Sequence, residues 1–140
     1  MLNYSVAELR DRYPGNNYVD ILGLDNYHIK SEEEIAKCIN QLQQLTEYAT
    51  KYNKIVALTE TGCYGLNIPN WFTEYLYKVL TAPKVKISYV MFWSSWSSKN
   101  KGYCIPYKKN SPEAKDFLRF TQKKNIILIN NGKTNSSRTF

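Results

Sequence analysis

"KIVALTETG", residues 54–62, sets four apolar residues ahead of a single carboxylate, Glu60, which stands between two threonines and just before a glycine. Such a short run of Ile, Val, Ala and Leu reads as a strand buried on both faces. The carboxylate falls where that strand meets solvent. Two readings of Glu60 follow: a polar residue closing a strand, or a catalytic group at the mouth of a barrel.

Working upstream, "SEEE" at 31–34 is a capping-box pattern, with Ser31 and Glu34 at the right spacing. Ile35, Cys38, Ile39, Leu42, Leu45, Ala49 and Tyr52 then recur at steps of three and four. That spacing predicts a long amphipathic helix feeding directly into the 54–62 strand. Before it, "YVDILGLDNY" (18–27) reads as another strand, preceded by a "YPGN" turn and a short helix over "SVAE" at 5–8.

Downstream, "NIPNWFTEYLYKVLTAPK" (67–84) predicts a helix capped by Asn70 and stopped before Pro83. Its buried face is expected at Phe72, Tyr75, Leu76, Val79 and Leu80. "VKISYVMFW" (85–93) reads as a third strand. A loop rich in Ser, Lys and Gly leads to "SPEAKDFLRF" (111–120), where Ser111 caps, Pro112 takes the first helical position, and Ala114, Phe117 and Leu118 face inward. "IILI" at 126–129 finds no partner in this pattern, and the polar "NNGKTNSSRTF" (130–140) reads as a frayed tail. Strand and helix alternate three times, and the strands are apolar on both faces. The fold class is therefore α/β, a parallel sheet covered by helices.

Composition narrows the function. With 43% hydrophobic and 22% charged residues the chain has the make-up of a soluble globular domain, and its 140 residues suffice for one core. No apolar stretch approaches the roughly 20 residues of a membrane span. The first fifteen residues show no signal-peptide pattern. The net charge of +7 comes from scattered Lys and Arg, which suits a solvated basic surface better than a nucleic-acid site. Three cysteines without Cys-x-x-Cys spacing and one histidine argue against a metal, and nothing implies a cofactor. Cys38, on the helix stripe, reads as a buried thiol.

Ligands of parallel α/β sheets gather at the carboxyl ends of the strands. Those ends read Asp25-Asn26-Tyr27, Thr59-Glu60-Thr61 and Phe92-Trp93-Ser94. Strict alternation groups Gly23, Asp25 and Tyr27 on one face of the first strand, Val56, Leu58 and Glu60 on the second, and Tyr89, Met91 and Trp93 on the third. A rim of two carboxylates, a phenol and an indole suits sugar chemistry. Glu60 has the chemistry to attack an anomeric carbon, Tyr27 to orient it, Asp25 to accept from sugar hydroxyls and Trp93 to stack on a pyranose face. Each also has a plain structural reading: a core Trp, a core-edge Tyr and an Asp-Asn loop opening are common.

"YPGNNYVDILGLDNY", "KIVALTETG", "WFTEYLYKVL", "ISYVMFW" and "YCIPYKKNSPEAKDFLRF" together resemble the C-terminal part of glycoside hydrolase family 26, chiefly β-mannanases. The blocks run in order from about residue 13 to about residue 120. The resemblance implies a (β/α)8 barrel and a retaining hydrolase with two glutamates. It implies that Glu60 is the nucleophile at the end of strand seven, that Asp25 and Tyr27 are strand-six residues beside the sugar, and that Trp93 is the strand-eight Trp at the cleavage subsite. "SSWSS" at 94–98 departs from the Arg-Asn pair often found there, which bears on substrate choice.

A full barrel takes about 250 residues. The resemblance thus gives this chain only the last three strand–helix units, a partial barrel over residues 1–125 with a tail at 126–140. The family's acid/base glutamate belongs to strand four, outside those units. The expected function is the C-terminal portion of a β-mannanase-like enzyme acting on a β-1,4-linked polysaccharide, inactive alone. The expected partners are β-mannan or a related polymer, and either the missing N-terminal part of the barrel or a second copy. The alternative is a non-catalytic carbohydrate-binding or interaction protein derived from that barrel. The family is typically exported, so the resemblance implies an extracellular or cell-surface setting.

Overall fold

The computed structural model describes residues 13–93, 105–106, 110–130 and 133–134. Three parallel strands lie side by side in chain order: β1 (Ile21–Asn26), β2 (Ile55–Thr61) and β3 (Tyr89–Phe92). Helix α1 (Glu32–Tyr52) joins the first two. Helix α2, a π-helical stretch Trp71–Leu76 running into an α-helical turn Tyr77–Leu80, joins the second and third. Helix α3 (Pro112–Thr121) follows β3. The alternating α/β order and parallel sheet agree with the expectation from sequence. The "SVAE" helix and most of the loop after β3 lie outside the described residues.

Local chemistry explains the helix boundaries. Ser31 Oγ accepts from the Glu34 N–H at 3.2 Å, and Glu34 Oε2 accepts in return from the Lys30 N–H at 3.2 Å. The N–H groups of a helix's first turn lack acceptors within the helix, and here the Ser31 side chain supplies one while Glu34 ties down the chain just before the cap. Asn53, in the left-handed region at φ 53°, ends α1 by donating its N–H to Ala49 O. Ser111 caps α3 by accepting from the Ala114 N–H at 3.1 Å.

Helix α2 starts differently from its predicted cap. Asn70 is itself left-handed (φ 54°) and makes no side-chain cap. Its place is taken from outside the helix by Asp116 of α3. Asp116 Oδ2 accepts from the Phe72 N–H at 2.9 Å, and Oδ1 accepts from Thr73 Oγ1 at 2.5 Å. Arg119 Nη2 lies 3.3 Å from the same carboxylate, which is only 1% exposed. A buried carboxylate is tolerated because its oxygens are met by donors. A helix is thus capped by its neighbour, and the two are locked together.

The core lies between the sheet and the helices. Leu22, Val56 and Leu58 from the sheet meet Cys38, Leu42 and Leu45 of α1, Phe72, Leu76 and Val79 of α2, and Phe120 of α3. Phe72 is the hub, with Trp71, Phe92 and Phe117 ring centroids 5.0–5.7 Å away at steep angles. On α3 the inward residues are Asp116, Phe117 and Phe120. Leu118, expected inside, is 57% exposed, because a carboxylate aimed at the end of α2 fixes the helix's rotation. Tyr75 and Leu80 are half-buried rather than buried, and Tyr52 is exposed at the end of α1. Ile129 pairs with Thr134 in a short antiparallel hairpin, β4 (Ile129–Asn130) with β5 (Lys133–Thr134), which gives part of "IILI" a local partner. Ile127, Leu128 and Ile129 remain exposed.

Candidate active site

The rim is built at the carboxyl ends of β1 and β2, and its key feature is an irregularity in β2. Pairing runs Gly23↔Ala57 and Leu24↔Leu58, then jumps to Asp25↔Glu60. Toward β3 the register passes likewise from Leu58↔Val90 to Thr61↔Phe92. β2 therefore carries one extra residue against both neighbours, a β-bulge at Thr59–Glu60.

The bulge corrects the face assignment that strict alternation gives. Val56 and Leu58 lie in the helix-side core, so unbroken alternation would send Glu60 there as well. The extra residue instead puts Thr59 and Glu60, neighbours in sequence, on the opposite face. There Tyr27 Oη donates to Glu60 Oε2 at 2.6 Å. Thr59 Oγ1 donates to Asp25 Oδ1 at 2.7 Å. Gly23, Asp25 and Tyr27 share a face as alternation predicts, and so do the exposed Tyr89 and Met91 of β3.

Backbone and buried polar groups hold the rim from beneath. Thr61, fully buried, donates its hydroxyl to Asn26 O at 2.7 Å and ties the end of β2 to the end of β1. Asn26 Oδ1 accepts from the His28 N–H at 2.8 Å, turning the chain after Tyr27. Trp71 Nε1 donates to Ile29 O at 2.6 Å, so the start of α2 secures the same turn. Trp93 is tied on through its backbone, its N–H donating to Thr61 O at 3.1 Å, while its side chain is 56% exposed.

Of the four residues singled out from sequence, Tyr27 and Glu60 are therefore in direct contact. Asp25 stands beside them, and Trp93 follows just past the end of β3, held to β2 by its backbone N–H. Sequence reasoning missed Thr59, although Gly23 signals it: an isolated glycine inside a strand marks a bulge or a close approach. A Cβ built on Gly23 would fall 2.5 Å from Thr59 Oγ1.

Just past the rim, Cys63 is 1% exposed and burial pushes its thiol pKa up, against smaller lowering contributions from backbone hydrogen bonds and Lys30. Burial likewise pushes the Cys38 thiol up to about 12. Both stay protonated, which leaves them poor nucleophiles. Among the described residues no group of three His, Cys, Asp or Glu side chains is placed to hold a metal ion. No helix among them is long and apolar enough to cross a membrane.

A glutamate, a tyrosine and an aspartate thus stand together at the carboxyl edge of a parallel α/β sheet, where ligands of such sheets gather. The family model of glycosyl hydrolase family 26 matches residues 3–115, and the chain belongs to that family. Among solved structures it is similar to a GH26 β-mannanase from Bacteroides ovatus, at 34% identity and a TM-score of 0.79, over 91% of this chain and 36% of that one. A GH26 protein from a Muricauda species gives 34% identity and a TM-score of 0.77, over 89% and 34% of the two chains. A modular endo-β-1,4-mannanase from Cellulomonas fimi gives 26% and 0.72, over 85% and 27%. The chain spans about a third of the length of the first two of these relatives. Comparison with curated proteins gave no match.

Proposed function

We propose that this chain supplies strands six to eight of a (β/α)8 barrel in a retaining β-mannanase-like hydrolase, with Glu60 as its nucleophile. The observation that carries the reading is the 2.6 Å hydrogen bond from Tyr27 to Glu60 at the carboxyl ends of adjacent parallel strands. Residues 1–125 form the hydrolase part and 126–140 a tail.

Tyr27 engages Glu60 Oε2, and among the described residues Oε1 carries no hydrogen bond. That free oxygen attacks the anomeric carbon and forms a glycosyl ester, as the leaving oxygen takes a proton from a general acid. Asp25 accepts from sugar hydroxyls, and Trp93 offers its exposed ring to a pyranose face. A retaining mechanism needs a second carboxyl about 5–5.5 Å from the first. Asp25 sits on the strand next to Glu60 and is bound to Thr59, which suits a sugar contact rather than a proton donor. We assign the acid/base to a polypeptide segment carrying strands one to five, and β-1,4-linked mannan or a related polymer as the substrate.

The nucleophile is tested by trapping. A 2-deoxy-2-fluoro-β-mannosyl fluoride needs no general acid to lose its leaving group. It is incubated with the chain joined by a polypeptide carrying strands one to five. The expected result is a covalent sugar on the peptide holding Glu60, found by mass spectrometry and absent from Glu60→Ala. A sugar on another residue, or labelling that survives Glu60→Ala, removes the assignment.

A further inference from the structure

We infer that Thr59, which the family reading leaves without a role, is a positioning residue that fixes Asp25 for its sugar contact. The inference rests on the functional reading above for what Asp25 does, and on geometry alone for how Asp25 is held. Three observations carry it. Thr59 lies at the bulge, skipped in the pairing of β2 with β1, on the open face that alternation from Leu58 gives it, and the extra residue sets Glu60 beside it on that face. Its hydroxyl lies 2.7 Å from Asp25 Oδ1 and is the hydrogen-bond partner of that carboxylate among the described residues. The space it fills is open only because residue 23 is glycine, since a Cβ there would fall 2.5 Å from Oγ1 and 2.7 Å from Cγ2 of Thr59.

The result is two crossed pairs. Each carboxylate takes one hydroxyl from the other strand, Asp25 from Thr59 and Glu60 from Tyr27. Among the described residues each pair leaves one carboxylate oxygen for a ligand. Asp25 is exposed, and an exposed aspartate without a partner samples several rotamers. Ordering it in advance removes part of the entropy cost of binding.

Thr59→Val keeps the branched shape and removes the donor, whereas Thr59→Ser keeps the donor. The readout is the χ1 distribution of Asp25 in the chain, from three-bond nitrogen–carboxyl and carbonyl–carboxyl NMR couplings. Wild type and Thr59→Ser should give the couplings of one rotamer, and Thr59→Val should give averaged ones. Averaged couplings already in wild type, or unchanged couplings in Thr59→Val, overturn the inference whatever the sugar does. Titration with a β-1,4-mannotriose, followed at the amides of 25–27 and 59–61, then connects position to function. Binding weakened about tenfold in Thr59→Val and kept in Thr59→Ser supports it, that being the worth of one hydrogen bond to a charged group. Equal binding by wild type and Thr59→Val overturns it. A fixed Asp25 with no sugar bound by wild type counts against the functional reading and leaves the positioning role standing.

Discussion

The two faces of β2 obey different rules. On the helix side Val56 and Leu58 are 4% and 0% exposed and sit among Leu42, Phe72 and Leu76, in regular alternation and with no polar side chain between them. On the other side Thr59 and Glu60 break the alternation, stay part-exposed and bond across to β1. The closed face is built for stability and the open face for contact. A strand of seven residues carries both because one inserted position lets the closed face keep its period while the open face gains a side chain.

Substitutions on the two faces should therefore differ sharply. Leu58→Ala removes a fully buried side chain, and urea denaturation should show a loss of about 2–5 kcal/mol. Met91→Ala, at an open-face position 49% exposed, should change stability by less than about 0.5 kcal/mol. Similar costs at the two sites would break the comparison.

Asp116→Ala comes next in size. It strips Phe72 N–H and Thr73 Oγ1 of their acceptor in a buried setting, at a cost of about 1–3 kcal/mol by the same assay. No loss would mean that α2 is capped by something other than α3.

The closed face should also be sensitive to alkali. Burial raises the Cys38 thiol from its ordinary 9.0 to about 12 in the folded chain. Between those values the unfolded chain releases a proton that the folded chain keeps. Stability is thus fully present below pH 9 and falls as pH rises toward 12. Cys38→Ala should flatten that decline, and denaturation midpoints measured across the range decide the matter.

The smallest effect on stability belongs to Met91→Lys, whose effect on association should be plain. Tyr89, Met91 and Trp93 are exposed, and among the described residues β1 and β3 have no partner on the outer edges of the three-stranded sheet. Such faces and edges favour self-association. Sedimentation of the isolated chain should show concentration-dependent oligomers that Met91→Lys reduces. A compact monomer at every concentration would contradict it.

Much of this was legible in the sequence because it is periodic. Helix α1 announces itself by the spacing from Ile35 to Ala49, and the three strands by runs of Ile, Val and Leu between helices. The rim residues Asp25, Tyr27 and Glu60 were legible from their place at strand ends. That Glu60 and Tyr27 share one rim was legible as well, but the bulge that brings them together was not, since alternation from Val56 and Leu58 alone sends Glu60 into the core. Only long-range pairing decides where a strand takes an extra residue, and the hint at Gly23 lies on a different strand. The cap of α2 was hidden for the same reason. Asn70 is the better local candidate, but Asp116, more than forty residues away, has the geometry to reach the Phe72 N–H.

As the nucleophile we propose, Glu60 would need a proton donor from the segment carrying strands one to five. Reducing-sugar release from β-1,4-mannan tests this most directly, with the chain alone, with the chain joined by a polypeptide carrying strands one to five, and with that pair bearing Glu60→Ala. General acid assistance is worth about 10²–10⁴-fold. The chain alone should release nothing measurable, the pair should hydrolyse mannan with retention at the anomeric carbon, and Glu60→Ala should abolish this. Hydrolysis by the lone chain that survives Glu60→Ala would contradict both the nucleophile and the division of the site.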